Sequence, residues 1–137
     1  MIVADTGAII ALLDAGDKHH RALNKIYRAD PDGWLLPWAI LPEVDYLLGT
    51  QLGTRAQDLF LADLADAAFS VEWGEEKDLQ AALRTCRRYR ALKLGLVDAV
   101  VIAIAERLRA DAIATVDLRH FGAVSIEGAP RLLPRDG

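Results

Sequence analysis

Short apolar runs alternate along this chain with longer segments of helical character, and few folds accommodate that alternation. Ile2 to Asp5 reads as a strand, Thr6 to Asp14 as a short helix, and a second helix capped by Asp17 runs from about Lys18 to Arg28. Asp30-Pro31-Asp32-Gly33 forms a turn ahead of a brief strand from Trp34 to Pro37. Ile40, Leu41, Val44, Leu47 and Leu48 fall on one helical face that ends near Gly49 or Gly53. That helix begins either after Pro37 or at Pro42. Thr54 caps a helix through Ala67, Phe69 to Trp73 is a strand, and Glu75 to Ala91 and Leu94 to Arg109 are successive helices. The strand Ala112 to Val116 and a short closing unit through Leu133 complete the chain. The pattern predicts an α/β fold, a mainly parallel central sheet with helices on both faces, because parallel neighbours need crossover connections.

One domain spanning 1–137 is expected, since a chain of this length buries roughly two thirds of its unfolded surface around a single core. Cys86 is the only cysteine and cannot form an internal disulfide, and Asp5 interrupts any secretory signal, so a reducing cytoplasm is the expected setting. The most apolar segment, Leu94 to Ala105, contains Asp98 and is shorter than the ~20 residues that span a bilayer, which argues against a membrane role. The formal net charge of -4 does not mark a basic nucleic-acid binder. It conceals a basic stripe, Arg84, Arg87, Arg88, Arg90 and Lys93, preceded by the acids Glu72, Glu75, Glu76 and Asp78.

Two of the strands stop on aspartate, Asp5 and Asp117. In open sheets of this class ligands bind beyond the carboxyl ends of the strands, so both acids belong to one rim. Asp98 reaches that rim because its helix leads directly into the strand ending at Asp117. An acid on a segment that is apolar nearly all round is seldom there for solubility. A fourth acid follows the strand at Leu35 to Pro37. Periodicity leaves Glu43 and Asp45 equal here, since they flank the apolar stripe on opposite sides. Close carboxylates repel by roughly 4 kcal/mol per pair at a surface-like dielectric, and helix amino termini offset only about 0.3–1 kcal/mol each. An all-oxygen cluster without histidine or cysteine favours Mg²⁺ or Mn²⁺ over zinc as the neutralising partner.

The segments IVADTGAIIALLD, LPEVDYLLG, LGLVDAVVIAIAERL and ATVDLRHFG, in this order and spacing, resemble the acidic motifs of the PIN-domain nucleases. The compact length resembles the VapC toxins of bacterial toxin-antitoxin pairs. In that family the acid ahead of a Tyr-Leu-Leu helix matches Glu43, and Asp5, Asp98 and Asp117 match the other acidic positions. The resemblance implies an endoribonuclease that hydrolyses RNA phosphodiesters with water activated by Mg²⁺ or Mn²⁺. Asp5 and Asp98 would be direct ligands, Asp117 a direct or water-mediated one, and Glu43 a ligand or the base that orients the water. Thr6 and Thr115 would hold carboxylates or metal waters in place, with a helix cap and a plain strand residue as their structural alternatives. The resemblance also implies a homodimer and a VapB-type antitoxin whose chain crosses the acidic cleft.

Other residues carry weaker signals. Arg84, Arg87 and Arg88 share a helical face and would suit RNA phosphates, or simply solvent. His19, His20 and His120 lack metal-ligand spacing, which favours surface or supporting roles. Trp34, Trp38 and Trp73 suit the core or a subunit interface. A phosphoacceptor receiver domain would need an acidic pair after the first strand and a lysine after a late one, and neither is present. A haloacid-dehalogenase-like phosphatase would need an aspartate where Gly7 stands. The remaining alternative is a PIN-like module that binds RNA or protein without turnover, for which four mutually repelling acids would be an unexplained cost.

Overall fold

The computed structural model describes residues 1–137. The elements follow in the order β1 (Ile2–Ala4), α1 (Thr6–Leu13), α2 (His20–Ala29), β2 (Trp34–Pro37), α3 (Leu41–Gln51), α4 (Thr54–Ala65), β3 (Ser70–Glu72), α5 (Glu76–Arg88), α6 (Leu96–Arg107), β4 (Ala112–Ala114), α7 (Leu118–Phe121) and β5 (Arg131–Leu133). All five strands are parallel, in the spatial order β3-β2-β1-β4-β5. The chain builds outward from β1 to β3 on one side, then returns to lay β4 and β5 on the other. The strand order therefore reverses between β1 and β4, which pair Ile2 with Ala112 and Ala4 with Ala114. A crevice opens at such a switch point, beyond the carboxyl ends of the two strands. Asp5 and Asp117 follow those two strands.

The core explains why these short strands persist. Val3, Ala4, Ile113 and Ala114 are fully buried, and α6 is buried without a break from Ala99 to Ala105. A helix apolar on every face has to be enclosed, and α6 packs against α5 and reaches β1 and β2. Small buried residues at Ala99 and Ala105 allow that close approach.

Several element ends differ from those the sequence suggests. The strand predicted through Val116 stops at Ala114, because the Asp117 backbone N–H folds back onto the Thr115 hydroxyl. Helix α2 starts at His20 instead of Lys18, with Asp17 accepting the His19 backbone N–H. Gly53, at φ 99°, precedes α4, so Thr54 is its first helical residue and not its cap. Pro42 sits in the first turn of α3, where its missing N–H costs nothing.

The acidic run ahead of the basic stripe has a partner that is not the stripe. Arg107, at the end of α6, donates from Nε and Nη2 to the two oxygens of Asp78 at 2.8 and 3.0 Å, and from Nη2 to Glu72 at 2.9 Å. Glu75 and Asp78 form a capping box at the start of α5. Burial alone would raise the pKa of Asp78, but the paired guanidinium outweighs it and holds the carboxyl below its usual range. This fork clamps the end of β3, the start of α5 and the end of α6. Arg107→Ala leaves a buried carboxylate without its counter-charge and is expected to cost about 3–5 kcal/mol in urea unfolding; a loss under about 1 kcal/mol would show that the clamp is ornamental.

Candidate active site

Asp5 caps α1 from an extended conformation and continues the β1 ladder, its N–H donating to Ala114 O at 2.8 Å. Its carboxylate lies inside the protein, 5% exposed. The hydroxyl of Thr115, fully buried, donates to Asp5 Oδ2 at 3.0 Å and accepts the Asp117 backbone N–H at 3.0 Å. One side chain thus ties the end of β1 to the turn after β4. Gly7 permits the approach: a Cβ there would meet Val116 Cγ2 at 2.7 Å. The Asp5-Thr6-Gly7 sequence therefore supplies an acid, a helix start and the clearance for a neighbouring turn.

Asp117 caps α7, with Oδ1 accepting the His120 backbone N–H at 3.1 Å. The His120 ring meets both flanking acids, Nδ1 lying 2.8 Å from Asp98 Oδ2 and 3.2 Å from Asp117 Oδ2. An ionised carboxylate only accepts, so the proton belongs on Nδ1. Asp117 accordingly has protein partners, although the sequence suggested that only a cation would satisfy it. His120 is the residue that sequence reasoning undervalued. Its signal was the Asp117-to-His120 spacing of three, which returns the ring to the carboxylate it caps. Atoms of Asp98, Asp117 and His120 that could each ligate an ion lie within 4.8 Å of one another.

Glu43 projects from the first turn of α3 and is exposed, yet close enough to Asp98 to raise its pKa. Asp45 faces the other way, its backbone and side chain both accepting from Gln57 of α4. The structure thus places Asp5, Asp98, Asp117 and Glu43 around one crevice, each from a different element. No lysine or arginine is ion-paired with any of the four.

The electrostatics follow from that lack of counter-charge. Burial pushes Asp5 up to about 7, with Asp98 and Asp117 adding to the rise, while the Thr6 backbone N–H and the Thr115 hydroxyl oppose it. Asp98 is raised mainly by burial, with Asp117 and Glu43 contributing and His120 opposing. Thr6 presents a buried hydroxyl with no partner in the protein. Its hydrogen-bonding capacity lies unused beside Asp5, the most buried acid of the cluster. Carboxylate oxygens gathered in this way, with a free hydroxyl alongside and the His120 ring nitrogen at the edge, fit a divalent cation.

The remaining candidates separate. Arg84 and Arg88 line a cavity of about 400 Å³ between α5, α6 and the segment after α7, whereas Arg87 does not. Trp34 is in the core and Trp38 packs against it, but Trp73 is 74% exposed. His20 bonds to the backbone of α1 at Ala11, and Cys86 to Leu94 O.

Because the folded protein holds a proton on Asp5 more tightly than the unfolded chain does, its contribution to stability is complete below about pH 4. It is lost as pH rises through 7, a difference of roughly 4 kcal/mol. Asp5→Asn is therefore expected to raise the melting temperature of the metal-free protein more at about pH 8 than at about pH 5. Equal shifts at both values, or a less stable variant at the higher one, would contradict the crowding of charge.

Comparison with known proteins agrees with this geometry. The PIN domain family model matches residues 2–126. The chain is 29% identical over 130 residues to Ribonuclease VapC26 of Mycobacterium tuberculosis (strain ATCC 25618 / H37Rv), covering 95% of this chain and 96% of the relative. Its fold is similar to the crystal structure of Mycobacterium tuberculosis VapC20, a Sarcin-Ricin loop cleaving toxin, with a TM-score of 0.79 and 21% identity over 91% of this chain and 97% of that one. It is also similar to DNA-bound VapBC from Salmonella typhimurium, with a TM-score of 0.69 and 17% identity over 96% and 95% of the two chains. With the family match extending over nearly all of its length and the acids gathered at the switch point, the chain belongs to the PIN domain family.

Proposed function

We propose that this protein is an endoribonuclease dependent on Mg²⁺ or Mn²⁺, the toxin of a VapBC-type pair, with RNA as substrate and a VapB-type antitoxin as partner. The observation that carries the reading is the convergence of Asp5, Glu43, Asp98 and Asp117 on one crevice without a lysine or arginine to neutralise them. It is supported by the likeness to a ribonuclease along almost the whole chain.

Asp5, Asp98 and Asp117 would hold the ion, with Glu43 either joining them or orienting water from the exposed side of the crevice. A divalent ion bound there would lower the pKa of water and offset charge on the phosphate and the leaving oxygen. The Thr115 hydroxyl fixes the direction of the Asp5 carboxylate and, through the Asp117 N–H, the turn that carries the neighbouring acid. Thr6 adds a hydroxyl free to bond a hydrating water. His120 holds Asp98 and Asp117 in register by donating from Nδ1 between them.

Partner binding needs apolar area, and α4 with its surroundings supplies it. Leu61 is 64% exposed and Trp73 74%, beside a cavity of about 460 Å³ that Pro42, Phe60 and Leu64 help to line. An antitoxin or a second copy of the chain covering this face would remove large side chains from water, each worth about 1.5–3 kcal/mol when fully buried. No helix of the protein is long and apolar enough to cross a membrane, and a cytoplasmic toxin acting on cellular RNA is the setting proposed.

Purified protein incubated with cellular RNA is expected to cleave it in Mg²⁺ or Mn²⁺ and to stop on chelation. Asp5→Asn and Asp98→Asn should each lower the rate by about 100-fold or more, since even residues supporting a metal ligand cost about 10–100-fold when changed. Thr115→Val should cost about 10–100-fold while leaving the protein folded. RNA bound without cleavage by the unmodified protein would favour the inactive PIN-like binding module. Cleavage that survives both acid substitutions would place the chemistry elsewhere.

A further inference from the structure

The cavity beside α5 begins at Ile102, one turn along α6 from Asp98. Asp98, Ile102 and Glu106 recur at four-residue spacing on one stripe of α6, so Glu106 lies about 12 Å along the helix axis from Asp98. The segment after α7 accompanies that stripe from end to end. Just before it, within α7, His120 Nδ1 meets Asp98, and at its finish the Glu127 backbone N–H donates to Glu106 Oε2 at 2.8 Å. The trench between them has Ile102 and Val124 among its lining residues.

The second wall is α5, which runs antiparallel to α6: Asp78 at its start pairs with Arg107, and Cys86 near its end meets Leu94. Arg88 is therefore level with the beginning of α6, where Asp98 sits, and Arg84 lies one turn nearer Glu106. Neither arginine is ion-paired, so both guanidinium groups retain their donors. The wall is held in place by Tyr89, whose hydroxyl accepts the Ser125 N–H at 3.0 Å, and Arg88 lies over the Tyr89 ring at 5.3 Å from its centroid. Arg87 does not line the trench.

The charges are ordered along this trench. Two free cations line the α5 wall, and two acidic residues, Glu106 and Glu127, line the end remote from the acid cluster. A site for phosphate alone would gain nothing from Glu106. A nucleotide would use both, since arginine forks grip phosphate oxygens while a carboxylate accepts from N–H groups on a base edge. Guanine presents two adjacent N–H donors on its Watson–Crick edge, the arrangement one carboxylate matches best. Glu106 spends only part of one oxygen on Glu127. Unstacked RNA bases are commonly recognised in this way, on their hydrogen-bonding edges.

Resting on the nuclease reading, we propose that the trench is a subsite for one unstacked guanine nucleotide flanking the scissile phosphate, with Arg84 and Arg88 on its phosphates and Glu106 on its base. The subsite extends recognition beyond the metal chemistry and makes cleavage depend on which base lies beside the cut.

The test uses an oligouridylate containing a single guanine and one containing none, both labelled for fluorescence anisotropy, with full-length protein and its Asp5→Asn variant. Arg84→Gln with Arg88→Gln should weaken binding about tenfold or more and flatten the slope of log affinity against log salt by about 1.4, or 0.7 for each phosphate no longer neutralised. In cleavage the same pair should raise KM and change kcat little. Arg87→Gln should behave as unmodified protein. Glu106→Gln should abolish the preference for the guanine-bearing strand while preserving the salt slope. Affinity and slope unchanged in the double variant, or no guanine preference for Glu106 to lose, would overturn the proposal. Absence of cleavage by the unmodified protein would overturn the nuclease reading instead, and the binding arms would still decide this one.

Discussion

Carboxylates crowded at the reversal of strand order set the terms for the rest of this molecule. Bringing Asp5, Asp98 and Asp117 together costs electrostatic energy that no lysine or arginine offsets, and a folded chain tolerates that only where rigid elements over-determine the geometry. The rigidity is local and can be named. Helix α6 is buried from Ala99 to Ala105, which fixes the rotation that sets Asp98, β1 and β4 are hydrogen-bonded neighbours in the sheet, and the Thr115 hydroxyl joins the residues that follow them. Relaxing any of these would let the acids separate into solvent, where they repel far less.

The chain deals with acid crowding in two opposite ways. Glu72, Glu75 and Asp78 surround Arg107, whose fork satisfies them permanently and holds Asp78 ionised. Asp5 has no such partner and keeps a raised pKa. The contrast separates structural from chemical acids. A cluster meant only to hold elements together carries its own counter-charge; one left without it is available to an exogenous cation. His120 occupies a middle position, donating from Nδ1 to the space between Asp98 and Asp117 and opposing the rise in the Asp98 pKa.

Much of this was legible in the sequence, and the reasons differ from residue to residue. Asp5 and Asp117 were visible because an apolar run ending on an acid is a one-dimensional signal of a strand reaching a rim. Asp98 was visible because its surroundings are apolar at every helical angle. Glu43 was not separable from Asp45 by periodicity, since the difference lies in which neighbour each meets, Asp98 on one side and Gln57 of α4 on the other. Likewise, spacing alone grouped Arg87 with Arg84 and Arg88, and only the position of the segment after α7 divides them. The Arg107 clamp was hidden entirely, because its acids lie 29 to 35 residues away along the chain.

The placement of His120 has a consequence for how the site changes when a cation enters. Its Nδ1 stands between oxygens of Asp98 and Asp117, residues that would hold a cation. A donated hydrogen and a divalent cation would compete for that position, so an ion held there would need the ring to rotate, to carry its proton on Nε2 and ligate through Nδ1, or to leave these oxygens to the cation. The backbone N–H of His120 is already committed to Asp117 Oδ1, which leaves the ring, and not the main chain, as the part free to move. A side chain that bridges the acids without metal and yields to it would keep the crevice assembled in both states. The protein would then need no large rearrangement to pass from the repelling constellation to the neutralised one.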